Sequence, residues 1–140
     1  MKRGAANETQ TFAFRLDAHS GVPVFRQLMD QVQTAIASGT LVAGDQLPTV
    51  RQVAVDLAIN PNTVLRAYRE MEIRQLLDTQ QGMGTFIADR KVEFSKDERN
   101  RKLRQLTGEF VSRAGAAGFT LKQLMTALQE LSPEEEFKRK

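Results

Sequence analysis

The chain of 140 residues contains no cysteine and no tryptophan, and it has a single histidine, His19. Without cysteine there can be no disulfide, no thiol catalysis and no thiolate metal site. One histidine cannot form a histidine-based metal cluster. No apolar run approaches the ~18 residues that a membrane span requires, and the polar N-terminus does not resemble a signal peptide. We therefore expect a cytoplasmic protein with no metal, no cofactor and no membrane partner.

Catalytic patterns are also missing. The sequence offers no pairing of a nucleophile with a base, no metal ligand set and no phosphate-binding loop. Gly82-x-Gly84 lacks the third glycine and the following helix that a dinucleotide fingerprint requires. At 15.7 kDa the chain has room for one domain, or for one small domain and an appendage. We therefore do not expect an enzyme.

The net charge of +3 is unevenly distributed. Residues 1–20 carry a net charge of +1, residues 21–89 carry −2 and residues 90–140 carry +4, most of it between Arg90 and Arg104. A DNA-binding domain usually shows a concentrated positive face. A nucleic-acid function must therefore be argued from where single charges lie, and not from their total.

The first 40 residues read as a polar arm followed by a helix. Residues 1–20 form the arm, in which the alternating stretch from Phe12 to Leu16 could add a short strand. Proline is well placed in a first helical turn, so the helix should begin near Pro23 and stop at Gly39. The segment from residue 40 to residue 48 then reads as a turn-rich connector.

Two short helices joined by a tight turn follow. Thr49 and Gln52 have the spacing of a capping box, and Asn60-Pro61 has the form of an N-cap before a first-turn proline. Such a pair predicts a helix-turn-helix. Projected at about 100° per residue, the second of these helices separates a polar face from an apolar one. The polar face holds Asn62, Thr63, Arg66 and Arg69, and the apolar face holds Val64, Ala67, Tyr68 and Met71.

A hairpin should come next, from Leu76 to Ile87, with its tip at residues 81–84, where glycine permits positive φ. The chain is thus expected to be mainly α with a small β-hairpin: a winged helix-turn-helix followed by a C-terminal helical hairpin. We also expect Tyr68 in the core, with its hydroxyl reaching a surface partner.

The last third carries two apolar stripes at helical spacing. Their main members are Leu103, Leu106 and Phe110, and then Leu121, Leu124 and Leu128. Two short amphipathic helices cannot bury both stripes by pairing only with each other. The stripes need either the wing domain or a second copy of the chain. This gives three regions: an arm at 1–20, the winged helix-turn-helix at 21–89, and a helical region with a charged tail at 90–140.

The spacing of residues 21–89 resembles the DNA-binding domain of GntR-family transcription regulators. The matching residues are Gly39-x-Leu41-x-x-Gly44-x-x-Leu47-Pro48-Thr49-x-Arg51-x-x-Ala54-x-x-Leu57, Asn60-Pro61-Asn62-Thr63-Val64-x-x-Ala67-Tyr68 and Gly82-x-Gly84-Thr85-Phe86-Ile87. The Asn-Pro-Asn-Thr-Val start and the short tail are similar to the YtrA-type branch, whose tail serves mainly for dimerisation. The family usually has Pro-Gly at Ala43-Gly44 and Glu-Gly at Arg74-Gln75.

The resemblance implies roles for single residues. Arg51 stands where the family contacts DNA backbone and bases, Asn60, Asn62 and Thr63 begin the recognition helix, and Gly82 lies at the wing tip that enters the minor groove. Arg66 follows instead from the helical projection. The candidate DNA-binding residues are Thr49, Arg51, Asn60, Asn62, Thr63, Arg66, Arg69 and Gly82. The candidate dimerisation residues are Leu103, Leu106, Phe110, Leu121, Leu124 and Leu128.

These features predict a dimeric, sequence-specific repressor that binds double-stranded DNA at a near-palindromic operator. The sequence does not separate repression from activation, and it leaves room for a small-molecule effector without identifying one. The alternative is a protein-interaction module that keeps the winged helix as a scaffold and binds a partner through its leucine stripes. The net charge of −2 on residues 21–89 supports this alternative. DNA binding requires Arg51, Arg66 and Arg69 together on one surface with the acids elsewhere.

Overall fold

The structure, a computed structural model, describes residues 12–90 and 94–131. The chain divides between Arg90 and Lys91 into two compact units. The beginning of the arm, residues 91–93 and the charged tail from residue 132 lie outside the described residues. In the described ranges no helix is both long and apolar enough to cross a membrane.

The first unit is a winged helix-turn-helix, as the sequence predicts. Its helices are α1 (Val24–Ser38), α2 (Val50–Leu57) and α3 (Pro61–Ile73), and its strands are β1 (Gln46–Leu47), β2 (Leu77–Gln80) and β3 (Gly84–Ile87). The strands form one antiparallel sheet in the order β1-β3-β2. Helix α3 packs against α1, α2 and β2, and so lies at the centre of the unit.

The helix ends follow from the capping signals in the sequence. The Thr49 Oγ1 accepts a hydrogen bond from the Gln52 backbone N–H at 3.0 Å and so caps α2. The Asn60 Oδ1 accepts one from the Asn62 backbone N–H at 2.8 Å, with Pro61 in the first turn of α3. These two caps fix where the helices of the helix-turn-helix begin.

A single hydrophobic core holds the first unit together. Its largest fully buried side chains come from α1, α3 and β1: Leu28, Met29, Val32, Leu47, Val64 and Met71. Tyr68 is also buried, and its hydroxyl donates a hydrogen bond to the Pro48 carbonyl at 2.6 Å. The expected surface partner for this hydroxyl is therefore wrong, because the segment that leads into α2 closes over the ring. Burial raises the pKa of the Tyr68 phenol above its usual range.

The sheet has one strand more than the predicted hairpin. Gln46 and Leu47, expected in a connector, pair with Phe86 and Thr85 of β3. The residue before a proline is biased toward extended backbone, so Leu47 before Pro48 already has the conformation that a strand requires. Pairing over only two residues then needs no periodic pattern, which explains why the sequence did not indicate β1.

The alternating stretch from Phe12 to Leu16 does not form a strand. Phe14 is buried, and side-chain amides of α1 occupy the place of a neighbouring strand. Gln31 accepts from the Arg15 N–H at 2.9 Å and donates to the Arg15 carbonyl at 2.6 Å. Gln27 bonds the Asp17 N–H and carbonyl in the same way, at 2.9 and 3.0 Å. The alternation of apolar and polar residues therefore reflects an extended backbone whose N–H and C=O groups bond to side chains of α1 instead of to a strand.

Two residues other than glycine have positive φ in the described ranges: Ala58, with φ 55°, and Gln75, with φ 64°. Ala58 ends α2, and Gln75 lies between α3 and the wing. The turn before the wing thus keeps a left-handed residue although glycine is missing there. This conformation costs an ordinary residue about 1 kcal/mol or more.

The second unit contains α4 (Lys96–Ala116) and α5 (Leu121–Glu130). Helix α4 is 21 residues long, and Ser95 and Glu98 begin it with a reciprocal capping box. This helix is longer than the short amphipathic helix expected from the sequence, because the charged segment before Leu103 is itself helical. Thr120 and Gln123 form a second reciprocal capping box at the start of α5.

Candidate nucleic-acid interface

The start of α3 presents the polar face that the helical projection gives. Asn62, Arg66 and Arg69 are exposed and Thr63 is half-buried. The opposite face lies in the core, through Val64, Ala67, Tyr68 and Met71. The buried face fixes the rotation of α3, and that rotation points the polar side chains to solvent.

These polar side chains have hydrogen-bonding groups that the protein leaves unused. Within the described residues, the side chains of Asn62, Thr63 and Arg69 make no hydrogen bond and no ion pair. The same holds for Arg51, which is exposed in the first turn of α2. Arginine offers five N–H donors and asparagine two donors and an acceptor. The helix-turn-helix therefore shows a surface equipped to bind a ligand rich in acceptors.

The two capping residues can serve the same surface. Thr49 and Asn60 use a side-chain oxygen as the acceptor in their caps. The Thr49 O–H and the Asn60 amide N–H groups remain available as donors. Capping and contact with an external phosphate or base are therefore compatible at both positions.

Arg66 differs from its neighbours because an aromatic ring of α1 contacts it. The Arg66 Cζ lies 3.7 Å from the centroid of the Phe25 ring. In the sequence, Phe25 is one of several apolar residues at helical spacing in α1, with Leu28, Met29 and Val32. No local signal connects a residue at the start of α1 to a residue 41 positions later in α3.

Three acids of residues 21–89 are engaged with other groups of the first unit. Asp45 is buried and accepts a hydrogen bond from the Val42 N–H at 2.9 Å. Glu70 forms an ion pair with Arg74 at 3.4 Å, and the Thr79 hydroxyl donates to Glu72. The first nine residues of α3, 61–69, contain no acid. The net charge of −2 therefore does not apply to this part of α3, whose only charged residues are Arg66 and Arg69.

The wing tip is held by a residue that the sequence analysis missed. Gly82, with φ 80°, lies in the turn beside Met83, whose side chain is 67% exposed. Gln46 of β1 donates from Nε2 to the Met83 carbonyl at 3.2 Å and packs over Gly84. Glycine is needed at 84 because its φ is 129° and a Cβ there would meet the Gln46 side chain. The 37 positions between Gln46 and Met83 explain why local patterns did not reveal this bond.

The candidate dimerisation residues lie in the second unit, where no described residue of α4 or α5 is buried. Leu103, Leu106 and Phe110 are exposed on α4, and Leu121 and Leu128 are exposed on α5. Leu124 is half-buried. The structure brings Leu106, Phe110, Phe119 and Leu124 together along one apolar groove between the two helices.

Among the described residues, no group of three or more His, Cys, Asp or Glu side chains lies close enough to hold a metal ion.

Residues 25–87 match the model of the bacterial regulatory proteins of the gntR family. The chain is 33% identical over 110 residues to the uncharacterized HTH-type transcriptional regulator YhcF of Bacillus subtilis, covering 79% of the chain and 90% of that relative. It is 29% identical over 118 residues to the HTH-type transcriptional repressor YtrA of the same organism, covering 84% and 91%. A solved GntR family transcriptional regulator from Listeria monocytogenes is 30% identical, with a TM-score of 0.56 over 82% of this chain and 98% of that one.

Proposed function

Since the chain belongs to the GntR family of bacterial regulatory proteins, and to its YtrA type, we propose that it is a dimeric, sequence-specific DNA-binding repressor. The family supplies the general function, which is regulation of transcription through a DNA-binding domain. Repression is proposed because a relative that matches over most of both chains is a transcriptional repressor.

The single observation that carries DNA recognition is the set of unused donors on the helix-turn-helix. Asn62 and Arg66 have the donor and acceptor geometry that fits the major-groove edges of adenine and guanine. Together with Thr63, they are the proposed base readers, and Arg69 extends the same face by one turn. Arg51 and the capping residues Thr49 and Asn60 would hold the DNA backbone, and contacts of this kind fix the register of a protein on DNA.

The wing supplies a second contact in this proposal. Gly82 would enter the minor groove, since its exposed position at the tip carries no side chain to obstruct close approach. The hydrogen bond between Gln46 and the Met83 carbonyl supports this role, because it holds the tip in a defined conformation before DNA arrives.

Dimerisation rests on the second unit. Helices α4 and α5 bury none of their described side chains, and their apolar groove needs an occupant. We propose that residues 90–140 pair with a second copy of themselves through the six leucine and phenylalanine residues named above. A dimer of this kind would place two recognition helices in two half-sites about one helical turn apart on a near-palindromic operator.

The first test is a gel-shift titration on the DNA just upstream of the protein's own gene, at two salt concentrations and with excess nonspecific competitor. The wild type should give a shift that resists competitor. Arg51→Ala and Arg66→Ala should each weaken it about tenfold, within the range for loss of one arginine contact. Arg101→Ala, which removes an equal charge from an exposed position on α4, should leave the affinity nearly unchanged.

Retained affinity in both Arg51→Ala and Arg66→Ala would contradict the proposed interface. A shift that competitor erases, equal in all four proteins, would favour the alternative of a protein-interaction module, which the exposed apolar groove of the second unit also supports. A reporter gene placed behind the bound DNA would separate repression from activation.

A further inference from the structure

The contact between α1 and α3 joins Phe25, which packs against the hydrophobic core, to the proposed base reader Arg66. Phe25 is half-buried and packs against the hydrophobic core, whereas Arg66 is exposed on the polar face of α3. The Arg66 guanidinium carbon lies 3.7 Å from the ring centroid, well within the distance of a cation–π contact. Within the described residues, Arg66 has no acidic partner and makes no hydrogen bond.

This kind of contact fixes the guanidinium without using its donors. The guanidinium is planar, and its five N–H groups point outward in that plane. A ring against one face therefore restricts the side chain and leaves the N–H groups at its edge for other acceptors. An ion pair with a carboxylate would restrict the side chain equally well, but it would consume two of those donors.

We propose that Phe25 is a positioning residue for DNA recognition: its ring holds the Arg66 guanidinium so that two edge N–H groups meet a pair of acceptors on the operator. This inference rests on the proposed function and goes one step further, because it assigns the orientation of a base reader to a residue outside the helix-turn-helix. The pair of acceptors is either the O6 and N7 atoms of a guanine or two phosphate oxygens, and both suit a bidentate guanidinium.

The position of Phe25 explains why the contact can act on binding. The core anchors the ring, so the ring keeps its place when DNA is absent. Without the ring, the Arg66 side chain would lose its conformational entropy when it binds DNA, and this loss would weaken binding. Because the ring already restricts the side chain in the free protein, less conformational entropy is lost on binding. Preorganisation raises affinity in this way.

The test is a double-mutant cycle on the full-length protein, with a duplex that the wild type selects from a random-sequence library. The four proteins are the wild type, Phe25→Leu, Arg66→Ala and the double variant. Phe25→Leu should weaken operator binding about fivefold in the wild-type background and leave it unchanged in the Arg66→Ala background. Phe25→Trp, which keeps an aromatic face, should bind within about twofold of the wild type.

A purely structural role of Phe25 predicts a different result. Loss of core packing would weaken binding by the same factor in both backgrounds, and that outcome would overturn the inference. A neutral Arg66→Ala, with Arg51→Ala still defective, would also overturn it and leave the proposed function standing. Failure of the wild type to select any sequence would instead remove the proposed function itself, and with it the basis of the inference.

Two further measurements show whether Arg66 binds guanine atoms or phosphate oxygens. If Arg66 reads a guanine, Arg66→Ala should relax the preference at one base pair of the selected site. If it holds phosphates, the same variant should weaken all duplexes alike and reduce the dependence of log K on log salt by about one. Phe25→Leu should shift the same parameter as Arg66→Ala, but less far.

Discussion

The second unit of the chain has the stronger helix-capping signals, whereas the first unit has the buried core. Both helices of the second unit begin with a reciprocal capping box, whereas α2 and α3 of the first unit have only a single side-chain cap each. The first unit nevertheless buries a continuous core, and the second buries none of its described helical residues. Good caps therefore determine where a helix begins, but they do not supply the apolar burial on which a stable tertiary structure depends.

Because of this difference in burial, the two units should be stabilised by different kinds of contact. The first unit depends on contacts within residues 12–90. In our proposal the second unit depends on contacts between chains, so its stability should change with protein concentration. Substitutions in the two units should consequently give different experimental signatures.

The largest expected effect comes from a charge in the groove of the second unit. Phe110→Asp would bring a carboxylate into the proposed dimer contact, where burial of an unpaired charge is strongly unfavourable. The variant should sediment as a monomer and bind the operator at least about 100-fold more weakly, because the two half-sites lose their linkage. Ser112→Asp adds the same charge to an exposed position on the other side of α4 and should remain a dimer. A dimeric Phe110→Asp would contradict the proposed interface.

A smaller effect is expected in the first unit from Tyr68→Phe. Loss of the hydroxyl leaves the buried Pro48 carbonyl without its donor and should lower the free energy of unfolding by about 1–2 kcal/mol. Dimerisation should not change. The effect can be measured by urea unfolding followed by helical circular dichroism, and unchanged stability would show that the hydroxyl contributes nothing.

The same residue gives the first unit a pH dependence. The unfolded chain releases the tyrosine proton near pH 10, whereas the folded chain keeps it to higher pH, because burial raises the pKa of Tyr68. Deprotonation therefore favours unfolding, and stability should fall as the pH rises above about 10. Tyr68 is the only tyrosine and tryptophan is absent, so the ultraviolet absorbance of phenolate reports on this residue alone.

The smallest effect should be a gain in stability. Gln75→Gly relieves a left-handed conformation and should raise the free energy of unfolding of the first unit by about 0.5–1 kcal/mol, after the greater flexibility of the unfolded glycine chain is subtracted. Tyr68 fluorescence during urea unfolding would report on this unit without interference from the second. Gln81→Gly, at an exposed position whose φ is not positive, should be destabilising instead. Equal effects of the two substitutions would mean that Gln75 is not strained.

The sequence predicted the features of the first unit that depend on neighbouring residues. The caps at Thr49 and Asn60 and the apolar face of α3 are local, and each occurs where the sequence placed it. What it missed involves partners far apart along the chain: β1, which pairs with β3, and Phe25, which stacks on Arg66. Neither a two-residue strand nor a single aromatic side chain produces a periodic sequence pattern from which its distant partner could be predicted.

The possible strand in the N-terminal arm is absent, because an alternating sequence pattern occurs both in strands and in extended segments that pair with no strand. The alternation from Phe12 to Leu16 indicates extended backbone, and the backbone is indeed not helical there. An alternating pattern does not reveal what satisfies the backbone groups, and here Gln27 and Gln31 do so. The DNA contacts and the dimer contacts remain predictions, since they concern molecules outside the chain.

The bond between Gln46 and the wing tip has a mechanical consequence. Gln46 fixes the tip, and three residues later Thr49 caps α2. The distance from the wing to the helix-turn-helix is therefore set by a very short length of main chain, and the proline at 48 stiffens it. An inserted residue between 46 and 49 would change the separation of the two elements, whereas a longer turn at residues 81–83 would alter only the reach of the tip.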